Sequence, residues 1–309
     1  MSGEMLKGRV AVVTGAGRGL GRAYAQALAA EGAAVVVNDL DPGAVAETVA
    51  LIDEAGGRAV GVTAPVGASE AAQELVDAAV ENFGRLDVMV TNAGILRDRV
   101  LWKMSDEDFD AVIETHLRGT FTCARAAAIR MREQDEGGRI IVIGSPAGQF
   151  GNFGQTNYAA AKAGIVAFAR TWAMELARSR ITVNAVVPTA WTQMTASIPM
   201  YEPLVARVAA GEPLPAEVRR EHAVGMPDDC APLVVFLASA AGEEITGQAL
   251  GIGGDRLSVY SHPAEVAFAL RDGGWSAQDI AQAWATGLKD SAQPYGVHLP
   301  ELDLDEARP

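Results

Sequence analysis

The chain has 309 residues, 39 acidic and 25 basic side chains, a formal charge of -14, and 49% apolar types. That apolar content excludes a disordered chain, and the carboxylate excess argues against a nucleic-acid or anionic-membrane binder, since both need concentrated Lys and Arg. The two cysteines, Cys123 and Cys230, form no C-x-x-C pair, the first residues do not read as a signal peptide, and no stretch is apolar enough to cross a bilayer. The expectation is a soluble cytoplasmic protein with a small-molecule substrate, no nucleic acid, no membrane and no metal.

In chain order, a short β-branched run, a turn and a longer helix-period segment recur. Val10 to Thr14 is followed by glycines and a helical segment from Leu20 to Glu31; Ala33 to Val37 ends at Asn38-Asp39. Arg58 to Thr63, Leu86 to Thr91, Arg139 to Ile143, Ile181 to Val187 and, more weakly, Ala249 to Ile252 continue the strand series. Helical stretches such as Asp106 to Arg132 and Asn157 to Arg178 lie between them. Runs apolar on both faces and alternating with helices predict an α/β fold: a Rossmann-type doubly wound parallel sheet of about seven strands with helices on both faces. A catalytic domain over residues 1–254 is expected to include a lid, Thr192 to Pro227, rich in proline and placed after the sixth strand. Residues 255–309 read as a C-terminal helical extension with an acidic tail. In that extension Ser276-Ala-Gln-Asp279 resembles a capping box, and Ile280, Trp284 and Leu288 recur at helical spacing. This predicts an amphipathic helix docked on the main body or on a partner subunit.

Thr14-Gly-Ala-Gly-Arg-Gly-Leu-Gly21 falls between the first strand and the first helix, with Gly15, Gly19 and Gly21 spaced G-x-x-x-G-x-G. Such a turn lets backbone approach a pyrophosphate while the helix N-terminus, at Leu20, presents free N–H groups. Asp39, ending the second strand, can accept hydrogen bonds from the adenosine ribose and would repel a 2′-phosphate, which favours NAD over NADP; Arg18, beside the turn, is the feature that could instead meet that phosphate. Further along, Tyr158 and Lys162 share a helix face at i, i+4, and Ser145 closes the strand Arg139 to Ile143. A phenol titrates near ~10 in isolation, so an adjacent ammonium is expected to favour the phenolate and ready Tyr158 for proton exchange with an alcohol oxygen held by Ser145.

The order TGAGRGLG, Asp39, Asn92-Ala-Gly94, Ser145, Tyr158-x-x-x-Lys162 and Asn184 to Pro188 resembles the classical short-chain dehydrogenase/reductase family over roughly residues 5 to 254. The resemblance implies Tyr158 as acid/base, Ser145 as carbonyl polariser and Lys162 on the nicotinamide ribose. It also implies that Asn92, Ala93 and Gly94 support the sheet near the adenosine, and that Thr192, after Pro188, meets the carboxamide. Where the family usually has an acid contacting adenine, this chain has Pro65-Val66, so a backbone contact at Val66 must serve. Thr189 replaces the usual glycine after Pro188, and Gly144 and Pro146 flank Ser145.

The segments Asn92 to Arg99, Thr115 to Phe121 and Gly151 to Tyr158 are similar to the (3R)-3-hydroxyacyl-CoA dehydrogenase unit of multifunctional β-oxidation enzymes and its bacterial stand-alone relatives. His116 stands where most of the wider family has a catalytic Asn. It reads either as a relay ordering water towards Lys162 or as a buried structural imidazole. The resemblance implies an NAD-dependent homodimer or homotetramer acting on a 3-hydroxyacyl-CoA. A hydroxysteroid or other secondary-alcohol dehydrogenase, a 3-oxoacyl-ACP reductase and a non-catalytic dinucleotide sensor are the alternatives. Coenzyme A phosphates would need a local basic patch on so acidic a chain, with Arg97 and Arg99, or Arg207, Arg219 and Arg220, as candidates.

Overall fold

The computed structural model describes residues 4–196, 199–300 and 302. In chain order the elements are β1 (Val10–Thr14), α1 (Gly19–Ala30), β2 (Ala34–Asp39), α2 (Pro42–Glu54), β3 (Arg58–Thr63), α3 (Ser69–Phe83), β4 (Val88–Thr91), α4 (Asp106–Val112), α5 (Gly119–Gln134), β5 (Gly138–Ile143), α6 (Pro146–Phe150) and α7 (Thr156–Leu176). They continue with β6 (Ile181–Pro188), α8 (Gln193–Ala196), α9 (Glu202–Ala209), α10 (Ala216–Glu221), α11 (Pro227–Ala238), β7 (Ala249–Gly253), β8 (Arg256–Tyr260) and α12 (Ala277–Thr286).

The strands form one sheet of order β3-β2-β1-β4-β5-β6-β7-β8. All pairs are parallel except β7 with β8, which is antiparallel. β-Branched residues suit a pleated ladder, and alternation sends neighbours to opposite faces. Ala11 and Val13 pack with α1, α2 and α11, whereas Val10 and Val12 pack with α3, α5 and α7. Both faces are therefore buried, as the apolar runs required. The chain order reverses between β1 and β4, so the carboxyl ends of those strands open onto a crevice where ligands bind in sheets of this kind.

The sheet has one strand more than the reading of about seven. Residues 256–260, assigned to the extension from sequence, add β8 to the sheet edge, because Gly254 at φ +50 allows the chain to double back after β7. Alternating Leu257 and Val259 remain exposed there. The helix expected over residues 106–132 is interrupted by a π-helical turn, Ile113–Arg118, whose wider winding accommodates a buried His116.

Segment 192–227 folds as short helices around its own apolar cluster of Trp191, Tyr201, Leu204, Leu214, Val218 and Val224, onto which Leu302 packs. His222 Nε2 donates to the Pro300 carbonyl at 2.8 Å, leaving Nδ1 to accept from the Tyr201 hydroxyl at 2.9 Å. The tail thus returns to the segment after β6, a contact that no local pattern announces. α12 has the expected cap, Ser276 and Asp279 bonding reciprocally. Docking on the main body is not found, however: Ile280 and Trp284 are 54% and 52% exposed. Among the described residues none covers that apolar face fully.

Candidate active site

The crevice begins at the turn after β1. Gly15 has φ +62, and a Cβ there would lie 2.7 Å from the Cα of Ala93. At Gly21 a Cβ would strike the Gly15 carbonyl. Gly19, at φ +55, faces open space instead, and no side chain caps the first turn of α1 after Arg18. The result is a cradle of bare backbone beneath free N–H groups at Gly19, Leu20 and Gly21, which fits a pyrophosphate. The turn is braced from β4: Asn92 Nδ2 donates to the carbonyls of Thr14 and Gly15, both at 3.0 Å, and Thr14 Oγ1 accepts from the N–H groups of Asn92 and Ala93. Arg22 adds a bond to the Gly17 carbonyl at 3.0 Å and an ion pair with Glu47. Thr14 and Arg22 were not singled out from sequence, because only the folded turn reveals what they hold.

Asp39 reaches across from β2. Its Oδ2 accepts from Gly17 N–H at 2.9 Å and its Oδ1 from Leu40 N–H at 2.8 Å, so the carboxylate is fixed against the turn. A Cβ on Gly17 would come within 2.8 Å of that carboxylate. Arg18 is exposed beside it. Val66, half-buried after β3, packs so tightly on α5 that a Cβ at Gly119 would sit 2.9 Å from it. On the far side Pro188 ends β6 opposite Ile252, and Thr192 Oγ1 accepts from Thr195 N–H at 3.3 Å. Gly15, Arg18, Asp39, Val66, Asn92, Ala93, Gly94, Pro188 and Thr192 lie at the carboxyl ends of strands or in the loops that follow them, while Gly19, Leu20 and Gly21 open α1 and Tyr158 and Lys162 stand on α7.

Ser145, Tyr158 and Lys162 converge on the same edge. Ser145 follows β5 and N-caps α6, its Oγ accepting from Ala147 N–H at 3.2 Å. Tyr158 stands in the first turn of α7, where the Ser145 hydroxyl acts to lower its phenol. Lys162, one turn on, is 3% exposed and lies 5.6 Å from the centroid of the Tyr158 ring, its Nζ donating to the Ile143 carbonyl at 2.7 Å. Burial dominates the electrostatics. It pushes the Lys162 ammonium down to about 7 and raises the Tyr158 phenol above its usual value, an effect that the Ser145 bond opposes and Asp98 reinforces. The expected lowering of the phenol by its neighbour is therefore not met in this structure, because desolvation weakens the very cation that was to produce it.

His116 joins the group from the π turn. Its ring meets that of Tyr158 edge-on, centroids 5.2 Å apart, and Nε2 lies 3.0 Å from Ile95 N and 2.8 Å from Ile95 O, so it accepts from one or donates to the other according to tautomer. Nδ1 is buried without a partner. Burial, then Lys162, holds the imidazole down at about 3, with the Ile95 bond working the other way, so the ring is neutral at physiological pH. A Cβ at Gly94 would collide with this ring, which explains the glycine. His116 and Lys162 share no hydrogen bond.

Two further residues hold the catalytic loop. Asn157, fully buried, donates from Nδ2 to the carbonyls of Arg97 at 3.2 Å and Asp108 at 3.0 Å, while its Oδ1 accepts from Tyr158 N–H. Gln155 Nε2 donates to Asp98 at 2.9 Å. In the sequence both lie in the segment Gly151 to Tyr158 that carries the family resemblance, but nothing there assigns them this role.

The family model for short chain dehydrogenases matches residues 9–202. Hydroxyacyl-CoA dehydrogenase ChsB1 of Mycobacterium tuberculosis is 43% identical over 270 residues, covering 84% of this chain and 81% of the relative. The mouse peroxisomal multifunctional enzyme type 2 is 42% identical over 249 residues, 78% of this chain but 31% of that longer protein. Enzymes named 3-oxoacyl-[acyl-carrier-protein] reductase are also among the relatives. The crystal structure of a short chain dehydrogenase from Mycobacterium avium superposes with a TM-score of 0.82 at 38% identity, covering 95% of this chain and 99% of the other. Among the described residues no helix is long and apolar enough to cross a membrane. With sequence likeness and architecture agreeing from β1 past α7, the chain is an oxidoreductase of the short-chain dehydrogenase/reductase family, whose members bind a nicotinamide dinucleotide.

Proposed function

We propose that the protein interconverts a secondary alcohol and a ketone with NAD, its substrate a 3-hydroxyacyl-CoA of a fatty or steroid side chain. The observation that carries this reading is the convergence of Ser145, Tyr158 and Lys162 at the edge that also presents the glycine cradle. When bound, the nicotinamide ring supplies the acceptor for the hydride leaving the carbinol carbon. Ser145 Oγ holds the alcohol oxygen, and the Tyr158 phenolate takes its proton; in reduction the phenol returns it. Lys162, anchored on Ile143, fixes the distance between α7 and β5 and has an Nζ free to meet a ribose hydroxyl. His116 walls the phenol on its other side as a neutral group. The Asp39 carboxylate beside the turn supports NAD, because a 2′-phosphate there would meet a fixed negative charge.

Purified protein should reduce NAD with a 3-hydroxyacyl-CoA, use NADP poorly, and lose about 100-fold or more in kcat on Tyr158→Phe with NAD affinity kept. A phenol raised by burial also makes alcohol oxidation climb with pH between 7 and 9. A Tyr158→Phe variant of undiminished rate would end the assignment. A 3-oxoacyl thioester of the acyl carrier protein is the second reading, favoured by the reductases among the relatives; higher kcat/KM for that substrate with NADPH would select it.

The arm after β8 supports the reading of an oligomer. Val266, Phe268, Leu270, Ile280, Trp284 and Tyr295 are between 52% and 88% exposed. Aromatic side chains present roughly 150–250 Å² each, so together these approach the ~800 Å² per partner of a stable interface. The chain is tied back to its own body by Gly296 on Phe150 and Pro300 on His222. We assign the arm to contact with a second copy of the chain.

A further inference from the structure

The loop between β4 and α4 carries two arginines, Arg97 and Arg99, on either side of Asp98. Several guanidinium groups are neutralised locally: Arg22 by Glu47, Arg85 by Asp87 and Glu136, Arg219 by Asp229 and Asp255. Arg97 and Arg99 are exposed, and among the described residues neither has a carboxylate in ion-pair range. Each donates only to the backbone carbonyl that precedes it, at 2.9 and 2.8 Å. The adjacent carboxylate, Asp98, is engaged by Gln155.

The backbone beneath these two arginines is rigidly held. Arg99 N–H donates to the Gly154 carbonyl at 2.8 Å, and Asn157 holds the Arg97 carbonyl. The loop is therefore fastened to residues 154–157, which lead directly into Tyr158. Flat apolar side chains stand on the same two segments: Trp102 is 77% exposed and Phe153 is 85% exposed. Unpaired guanidinium groups bind phosphate bidentately, and exposed aromatic rings stack on a purine. On a chain of charge -14 a phosphorylated ligand is repelled at long range, so cations without a carboxylate partner, on a loop fastened to the segment that leads into Tyr158, are a place where it can dock.

We propose that Arg97 and Arg99, with Trp102 and Phe153, receive the adenosine-phosphate end of the thioester substrate, while its acyl end reaches Ser145 and Tyr158. This rests on the acyl-CoA reading above and gives it a specificity site. A coenzyme A ester then gains over a short thioester through binding alone, because the phosphates lie far from the reacting carbon.

The test measures binding and turnover separately. With NAD saturating, free coenzyme A is titrated calorimetrically into the wild-type protein and into the double variant Arg97→Ala/Arg99→Ala. Kd should rise about tenfold or more, and the salt dependence seen with the wild type should flatten. In kinetics, KM for the 3-hydroxyacyl-CoA should rise by a similar factor, whereas the N-acetylcysteamine thioester of the same acid, which lacks phosphates, should keep its KM. Equal coenzyme A affinity in the two proteins, or equal damage to both thioesters, overturns the proposal. So does a double variant impaired only towards an acyl-carrier-protein thioester. A wild type that binds coenzyme A through these arginines but oxidises no hydroxyacyl ester would instead sink the substrate reading and leave the binding site standing.

Discussion

Lys162→Met offers a direct measure of how strongly the interior opposes charge at the catalytic centre. The lysine is fully enclosed, and burial moves it from 10.5 to about 7. At pH 7 the unfolded chain holds this proton firmly while the folded chain only half holds it, a difference of about 4 kcal/mol against folding. Methionine fills nearly the same volume without charge, but leaves the Ile143 carbonyl without the Nζ donor, which costs about 1–3 kcal/mol. The variant is therefore expected to be inactive yet more stable than the wild type by about 1–3 kcal/mol at neutral pH. The sign follows from proton uptake. Between about 7 and 10.5 the unfolded wild-type chain binds more protons than the folded one, so wild-type stability gains relative to the variant as pH rises through that window, and its deficit disappears within the window and reverses towards the upper end. Urea unfolding of both proteins without cofactor, from pH 6.5 to 10, reads this directly. A stability difference that does not change with pH would refute the claim that Lys162 is desolvated in the free protein.

Gly94→Ala should destabilise the fold by about 1–3 kcal/mol, since its Cβ meets the His116 ring. Combined with His116→Ala it should recover most of that loss in urea unfolding, and strictly additive effects would show that the two do not touch. Asn157→Ala removes the donor to Arg97 and Asp108 and the acceptor for Tyr158 N–H, and should lower stability by about 2–4 kcal/mol together with kcat; an unchanged melting temperature would refute the bracing role. Trp284→Lys with Phe268→Lys should reduce the mass measured by light scattering, and a mass unaffected by both charges would remove the arm from the interface.

The architecture was legible because its determinants are local. Strands buried on both faces must be continuously apolar, so Val10 to Thr14 and Ile181 to Val187 stand out by composition alone, and Ser145, Tyr158 and Lys162 could be found from spacing behind a glycine turn. The eighth strand is not legible in the sequence, since Arg256–Tyr260 lies on an edge and breaks its apolar residues with Arg256 and Ser258. The π turn is equally invisible, because helical periodicity barely changes across one wide turn.

What the sequence alone determined was which side chains are available and which elements carry them; a glycine cradle, an acid after β2 and a Tyr-x-x-x-Lys face follow from chain order and backbone periodicity. Tertiary structure decided their chemistry. The depth of burial loosens the proton on Lys162, neutralises His116 and raises Tyr158, and it depends on β5, α4, the π turn and α7 meeting across long stretches of chain. Desolvation is a property of the surrounding volume, which no window of neighbouring residues encodes.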